Sequence, residues 1–180
     1  MIIDKIQIFD GAQGTVLADA HPKEEGKDGK PKHNGVAVLN LTNPERVQKM
    51  HTDYLEAGAQ YITCNSFELN PVKWQSQEYT WQEIADAAIK NARTAVGNRA
   101  MVMFDVSTSG QLMEPVGPFT FEQAYDNYRQ VAEYTCDRVD GYLLETFSDL
   151  YELRAAILAI RDVCSKIGRA SCRERVFLTV

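Results

Sequence analysis

At 180 residues the chain is one domain or part of one, and it is long enough to bury a core. Hydrophobic residues make up 44% and charged residues 24%, an ordinary balance for a globular protein, and the formal net charge of -6 gives no general pull toward nucleic acid or anionic membrane. No apolar run is long enough to span a bilayer, and Met1-Ile2-Ile3-Asp4-Lys5 lacks the basic region and cleavage site of a signal peptide, so a cytoplasmic protein is expected.

The apolar run Ile6 to Phe9 reads as a short buried strand that stops at Asp10. Gly11 and Gly14 then let the backbone turn tightly through Gly11-Ala12-Gln13-Gly14-Thr15. A carboxylate followed by exposed N–H groups can hold a small zwitterion, with the acid facing an ammonium and the N–H groups facing a carboxylate. Many loops also begin Asp-Gly for turn geometry alone. The stretch 21–35 is rich in charge, Gly and Pro and lacks an apolar period, so a mobile loop is expected there. Such a loop does not preorganise His21 and His33 as metal ligands.

Order returns at Val36. Thr42-Asn43-Pro44-Glu45 opens a helix, with Thr42 or Asn43 as cap and Pro44 in the first turn, where its missing N–H is no loss. Val47, Met50, Tyr54 and Leu55 form its buried stripe, His51 lies beside that stripe as a satisfied, partly buried residue, and Gly58 ends the helix. Tyr61 to Cys64 is the next strand, ending in the polar cluster Asn65-Ser66-Phe67. Thr80-Trp81-Gln82-Glu83 is a capping box, and the helix behind it buries Trp81, Ile84, Ala85, Ala88 and Ala92 before Gly97.

Ala100 to Phe104 is a third strand leading into Asp105, and Thr120-Phe121-Glu122-Gln123 is a second capping box. The stripe Phe121, Ala124, Tyr125, Tyr128, Val131, Ala132 and Thr135 has a helical period. Gly141 to Leu144 is a fourth strand, ending in Glu145-Thr146-Phe147-Ser148-Asp149. The last helix is expected to bury Leu150, Leu153, Ile157, Ile160 and Cys164, and Val176 to Val180 could make a fifth strand. Cys64, Cys136 and Cys164 read as small buried hydrophobes. No cysteine pair has Cys-x-x-Cys spacing, and a disulfide framework is not expected.

Strands alternating with helices predict an α/β fold with a parallel sheet, either open and doubly wound or closed as a (β/α)8 barrel. No glycine-rich phosphate fingerprint follows the first strand. The polar clusters all fall at strand C-terminal ends, where both architectures place their active sites.

Asp10-Gly11-Ala12-Gln13-Gly14-Thr15, Asn40-Leu41-Thr42-Asn43-Pro44-Glu45, Tyr54-Leu55-Glu56-Ala57-Gly58-Ala59 and Cys64-Asn65-Ser66-Phe67 together resemble the homocysteine S-methyltransferase family. Leu112-Met113-Glu114-Pro115-Val116-Gly117 and Leu144-Glu145-Thr146-Phe147-Ser148-Asp149 look most like the N-terminal homocysteine-binding module of corrinoid-dependent methionine synthases. The resemblance implies a (β/α)8 TIM barrel, with about the first half present in residues 1–166. It implies homocysteine as substrate and a methyl group passed to its zinc-bound thiolate to form methionine. Zinc is the implied cofactor. Cobalamin, as methyl carrier, and corrinoid and folate modules are the implied partners, with no nucleic acid and no membrane. By resemblance, Asp10 and Glu145 match the carboxylates that hold the substrate ammonium. Gly11, Ala12, Gln13, Gly14 and Thr15 match the loop near its carboxylate, and Asn65 and Ser66 match polar residues of the same pocket.

The departures are as informative. The family's zinc ligands are cysteines after the sixth and eighth strands, and none of the four cysteines here falls at those places, so no metal ligand and no catalytic residue is assigned. Gln13 stands where the family usually has methionine. Residues 167–180 are atypical: Ile167-Gly168-Arg169-Ala170-Ser171-Cys172-Arg173-Glu174-Arg175-Val176 resembles translated adapter sequence and is set aside from fold and function. The expectation is thus a truncated homocysteine methyltransferase module that is inactive alone. The alternative is a non-catalytic module that binds an amino acid or a partner protein.

Overall fold

The structure, a computed structural model, describes residues 7–18, 35–76, 78–164 and 169–172. The elements are α1 (Gln13–Leu17), a 3-10 turn at Val36–Val38, α2 (Leu39–Thr42), α3 (Pro44–Glu56), β1 (Tyr61–Thr63), α4 (Trp81–Val96), β2 (Met101–Val106), α5 (Phe121–Thr135), β3 (Gly141–Phe147), α6 (Leu150–Val163) and β4 (Arg169–Cys172). The strands form one parallel sheet in the order β1-β2-β3-β4, with helices between them. Sequential parallel strands joined by helical crossovers build an arc of a barrel rather than a doubly wound sheet, in which the strand order reverses.

The helix starts follow local chemistry. Asn43 accepts the Arg46 N–H with Pro44 as first helical residue. Thr80 and Glu83 form a complete capping box on α4, as Thr120 and Gln123 do on α5. Asp149 accepts from the N–H groups of Tyr151 and Glu152 at the start of α6.

Alternation along the strands separates two faces. Ile62, Val102, Phe104, Val106, Tyr142 and Leu144 lie in the same apolar core as Ile84, Ala88, Tyr128, Val131, Ala156 and Ile160 of the helices. Thr63, Met103, Asp105, Leu143 and Glu145 alternate with them and occupy the opposite face.

Several expectations change. The Ile6 to Phe9 strand is reduced to a single parallel bridge, Phe9 to Tyr61, supported by Asp10 N–H to the Tyr61 carbonyl and stacking of the two rings; Ile6 lies outside the described residues. β2 and β3 run on through Asp105 and Glu145, because the parallel ladder continues past the apolar residues that marked the strands in sequence. Leu150 is 72% exposed, since burial on α6 begins only at Glu152 and Leu153. His51 is wholly buried, and neither ring nitrogen has a hydrogen-bond partner, so it is not the partly buried, satisfied residue expected. Cys64 is free and buried as expected, but Cys136 and Cys164 form a disulfide. They cap the C-terminal ends of the adjacent helices α5 and α6, with Cα atoms 6.0 Å apart. The 21–34 stretch and the strand-like end at 176–180 lie outside the described residues, while β4 falls within the segment set aside as adapter-like.

Candidate functional site

Above the polar face of the sheet lies a cavity of about 640 Å3, within the range of small-molecule sites. Asp10, Gly11, Ala12, Gln13, Gly14 and Thr15 form one wall, Asn65, Phe67 and Glu68 another, and Asp105, Leu143, Glu145 and Thr146 line the strand side. The cavity therefore brings together every residue singled out in the sequence except Ser66. The Ser66 side chain is buried, donating to the Asp105 carbonyl at 2.9 Å and accepting the Asp105 N–H at 3.0 Å.

Asp10 is held from two sides. Its carboxylate accepts the Thr63 N–H at 2.9 Å, the Thr63 hydroxyl at 2.9 Å and the Gln13 amide at 3.2 Å. Gln13 also donates to the Thr63 carbonyl at 2.6 Å, which ties α1 to β1. Burial pushes the Asp10 carboxyl up to about 6, and the hydrogen bonds from Thr63 and Gln13 oppose that rise. Gly11 is closely approached: a Cβ there would lie 3.1 Å from the Tyr54 ring, whose hydroxyl donates to the Ala12 carbonyl, so a side chain would have to push the ring back slightly.

Asn65 donates to the Val36 carbonyl, and its own carbonyl accepts from Asn40, so it fixes the second wall. Gly35, at φ +59°, packs where any side chain would strike the Glu68 carboxylate. Behind Phe67, the Ser107 hydroxyl donates to the Phe67 carbonyl and accepts from Lys73, whose ammonium also lies 4.6 Å from the centre of the Phe67 ring. Burial holds Lys73 below the usual lysine range. Deeper, the Glu152 carboxylate accepts from the Ser109 N–H (2.7 Å), the Ser109 hydroxyl (2.6 Å) and the Tyr128 hydroxyl (2.7 Å), and Tyr128 also reaches the Ser107 carbonyl at 3.2 Å.

Leu143 and Glu145 share the cavity face by strand alternation. Thr146 joins them because its backbone is left-handed, φ 60°, inside a register shift between Leu144 and Phe147. Sequence reasoning passed over Asp105, which is only 7% exposed and lies on the same face. Its one sequence signal is an acid inside the apolar run Met101–Val106, where a carboxylate has no structural reason to be. Burial drives Asp105 well above the carboxylate range, and the charges of Glu145 and Asp10 add to the effect; burial raises Glu145 as well. Four acids around one cavity, Asp10, Glu68, Asp105 and Glu145, with the nearby ammonium of Lys73 directed at Ser107 and Phe67, make a site suited to an organic cation.

A family model described as Homocysteine S-methyltransferase matches residues 7–178. Methionine synthase of Mycobacterium leprae is 26% identical over 180 residues, covering 93% of this chain and 14% of that protein. Homocysteine S-methyltransferase 3 of Zea mays is 25% identical over 121 residues, covering 66% of this chain and 36% of the relative. The chain thus spans only a minor part of these relatives. Among solved structures, the homocysteine methyltransferase MmuM from Escherichia coli in its metallated form superposes with TM-score 0.68 at 18% identity, over 93% of this chain and 62% of that one. The oxidised form gives the same TM-score at 19% identity, over 92% and 60%. The architecture is therefore part of a (β/α)8 barrel.

Proposed function

The chain belongs to the homocysteine S-methyltransferase family, and on that premise we propose that its cavity is the homocysteine pocket of a methyltransferase, holding the amino-acid end while the sulfur accepts a methyl group. The observation that carries this reading is the convergence of Asp10 and Glu145, from segments 135 positions apart, on one cavity with a third acid beside them. The ammonium sits between the Asp10 and Glu145 carboxylates. The Gly11–Thr15 turn faces the substrate carboxylate, and Asn65 borders the same end. A desolvated carboxylate–ammonium contact is stronger than an exposed ion pair, and it fixes the direction in which the thiol points. Positioning is this chain's share of the reaction.

A thiol must become a thiolate to attack a methyl carbon. The family chemistry supplies this with zinc, but the residues described here do not fit that metal. Among them no group of three His, Cys, Asp or Glu side chains converges on one point, Cys136 and Cys164 are joined, and burial pushes the Cys64 thiol far up, away from the ionised form a ligand needs. Corrinoid and folate partners belong to the same proposal for the whole protein. No helix among the described residues is long and apolar enough to cross a membrane.

Calorimetry with three ligands tests the reading: L-homocysteine, 4-mercaptobutanoate, which lacks the amino group, and 3-mercaptopropylamine, which lacks the carboxylate. Homocysteine should bind best, and loss of the amino group should cost most. Equal binding of homocysteine and 4-mercaptobutanoate would refute the role of the acids.

A further inference from the structure

We propose that Asp105 works as an uncharged carboxylic acid that donates its proton to the Glu145 carboxylate, making it a positioning residue that aims Glu145 at the substrate ammonium. The proposal rests on the amino-acid pocket described above.

The geometry starts from the sheet. Asp105 on β2 pairs in register with Leu143 on β3, and Glu145 follows two residues later on the same face, so the two acids are diagonal neighbours across adjacent parallel strands. Both carboxyl groups line the same cavity, close enough to interact with each other. Two ionised carboxylates have only acceptors, so such a contact needs a proton on one of them. The remaining surroundings of Asp105 place the proton there. Its Oδ1 is buried with no hydrogen-bond partner, a costly setting for a full charge and a mild one for a neutral carbonyl oxygen.

The charged groups that act on Asp105 are Glu145 from β3, Asp10 from the segment before α1 and Lys73 from the segment before α4. Two are acids, and Lys73 directs its ammonium to the Ser107 hydroxyl and the Phe67 ring. Ionising Asp105 would put a third negative charge beside two others. Kept neutral, it adds no further charge to the acids Asp10, Glu68 and Glu145 around the cavity, and it uses its own O–H to hold Glu145 in place. Burial also acts on this acid in the direction of the protonated form.

The test has a readout that needs no ligand. Carboxyl carbons of the chain labelled with 13C in Asp and Glu are followed by NMR from pH 5 to 9. Asp105, assigned by its loss in Asp105→Asn, should keep a protonated shift through neutral pH and ionise only in the alkaline range, and Glu145→Gln should lower that transition. Homocysteine binding is then measured over the same range. Asp105→Asn keeps an N–H donor of nearly the same shape, so it should bind near the wild-type level at pH 7 and lose the alkaline decline of the wild type. Asp105→Ala should bind about tenfold to a hundredfold more weakly, the range for losing a hydrogen bond to a charged group.

Ionisation of Asp105 in the ordinary acid range would overturn the proposal. So would Asp105→Asn as damaging as Asp105→Ala, because the charge would then be what matters. If the wild type binds no homocysteine while Asp105 stays protonated and responds to Glu145→Gln, the substrate reading fails and the shared proton stands.

Discussion

Asp10 and His51 tilt the stability of the chain in opposite directions over the same pH window. Burial and its partners leave Asp10 at about 6 against an ordinary 3.8. Below 3.8 the acid is neutral in both states. As pH rises toward 6 the unfolded chain ionises first, so stability falls, by about 3 kcal/mol in all at 1.36 kcal/mol per pH unit. Burial alone lowers His51 from 6.5 to about 4. Above 6.5 the imidazole is neutral in both states. As pH falls toward 4 the unfolded chain takes up its proton first, and here about 3 kcal/mol is lost in the acid direction. The two slopes oppose each other between pH 4 and 6, and Asp105 and Glu145, both raised in the folded chain, add to the Asp10 slope. Urea unfolding midpoints at half-unit steps should expose each one. Relative to the wild type, Asp10→Asn should gain less stability on acidification from pH 6 to 4. His51→Leu should strengthen more than the wild type from pH 6 to 4, and the double variant should run nearly parallel to the wild type. Asn still accepts from some of the Thr63 and Gln13 donors, and any lost hydrogen bond shifts the whole profile without tilting it. If Asp10→Asn has the wild-type pH profile, Asp10 does not carry the buried charge argued here.

Glu145→Gln, which leaves the backbone of β3 intact, should weaken homocysteine binding about a hundredfold, equivalent to the 2–3 kcal/mol of a desolvated charged contact, while binding of 4-mercaptobutanoate changes little; titration calorimetry with both thiols checks it. Glu152→Ala removes the acceptor of two Ser109 donors and the Tyr128 hydroxyl and should destabilise by about 3 kcal/mol, read from the urea midpoint. Gly35→Ala combines a left-handed backbone with a collision against Glu68, so it should weaken homocysteine binding severalfold by moving that wall of the cavity, visible as a shift of the Glu68 carboxyl carbon in NMR. Dialysis against a weak chelator should leave the isolated chain without an equivalent of zinc, as metal analysis would show.

Where a few neighbouring residues decide the structure, the sequence was legible. Thr80 with Glu83 and Thr120 with Gln123 contain their whole capping geometry within four positions. The apolar runs around Ile62, Val102 and Tyr142 marked the strands, and Asp10 and Glu145 stood out as acids beside them. What could not be read depends on which elements adjoin. Asp105 looked like the end of a strand because its significance comes from Leu143 and Glu145 on the next one. Cys136 and Cys164, 28 positions apart, meet only because α5 and α6 end side by side. His51 fell beside a helical stripe, but packing of α3 closed over it without offering a partner.

The register shift between Leu144 and Phe147 has a consequence for which changes this chain can tolerate. Side chains on β3 alternate between an apolar core and the cavity, so Glu145 is one residue from Leu144, which is buried among the helices. A single-residue insertion or deletion upstream in β3 would exchange them, sending an acid into the core and a leucine into the pocket. Substitutions at Glu145 are graded, but a frame error of one residue is all or none. The left-handed turn at Thr146 absorbs the irregularity beyond Glu145, so slippage of β4 at that point need not reach the acid. The stretch from Gly141 to Glu145 is therefore held to a fixed count.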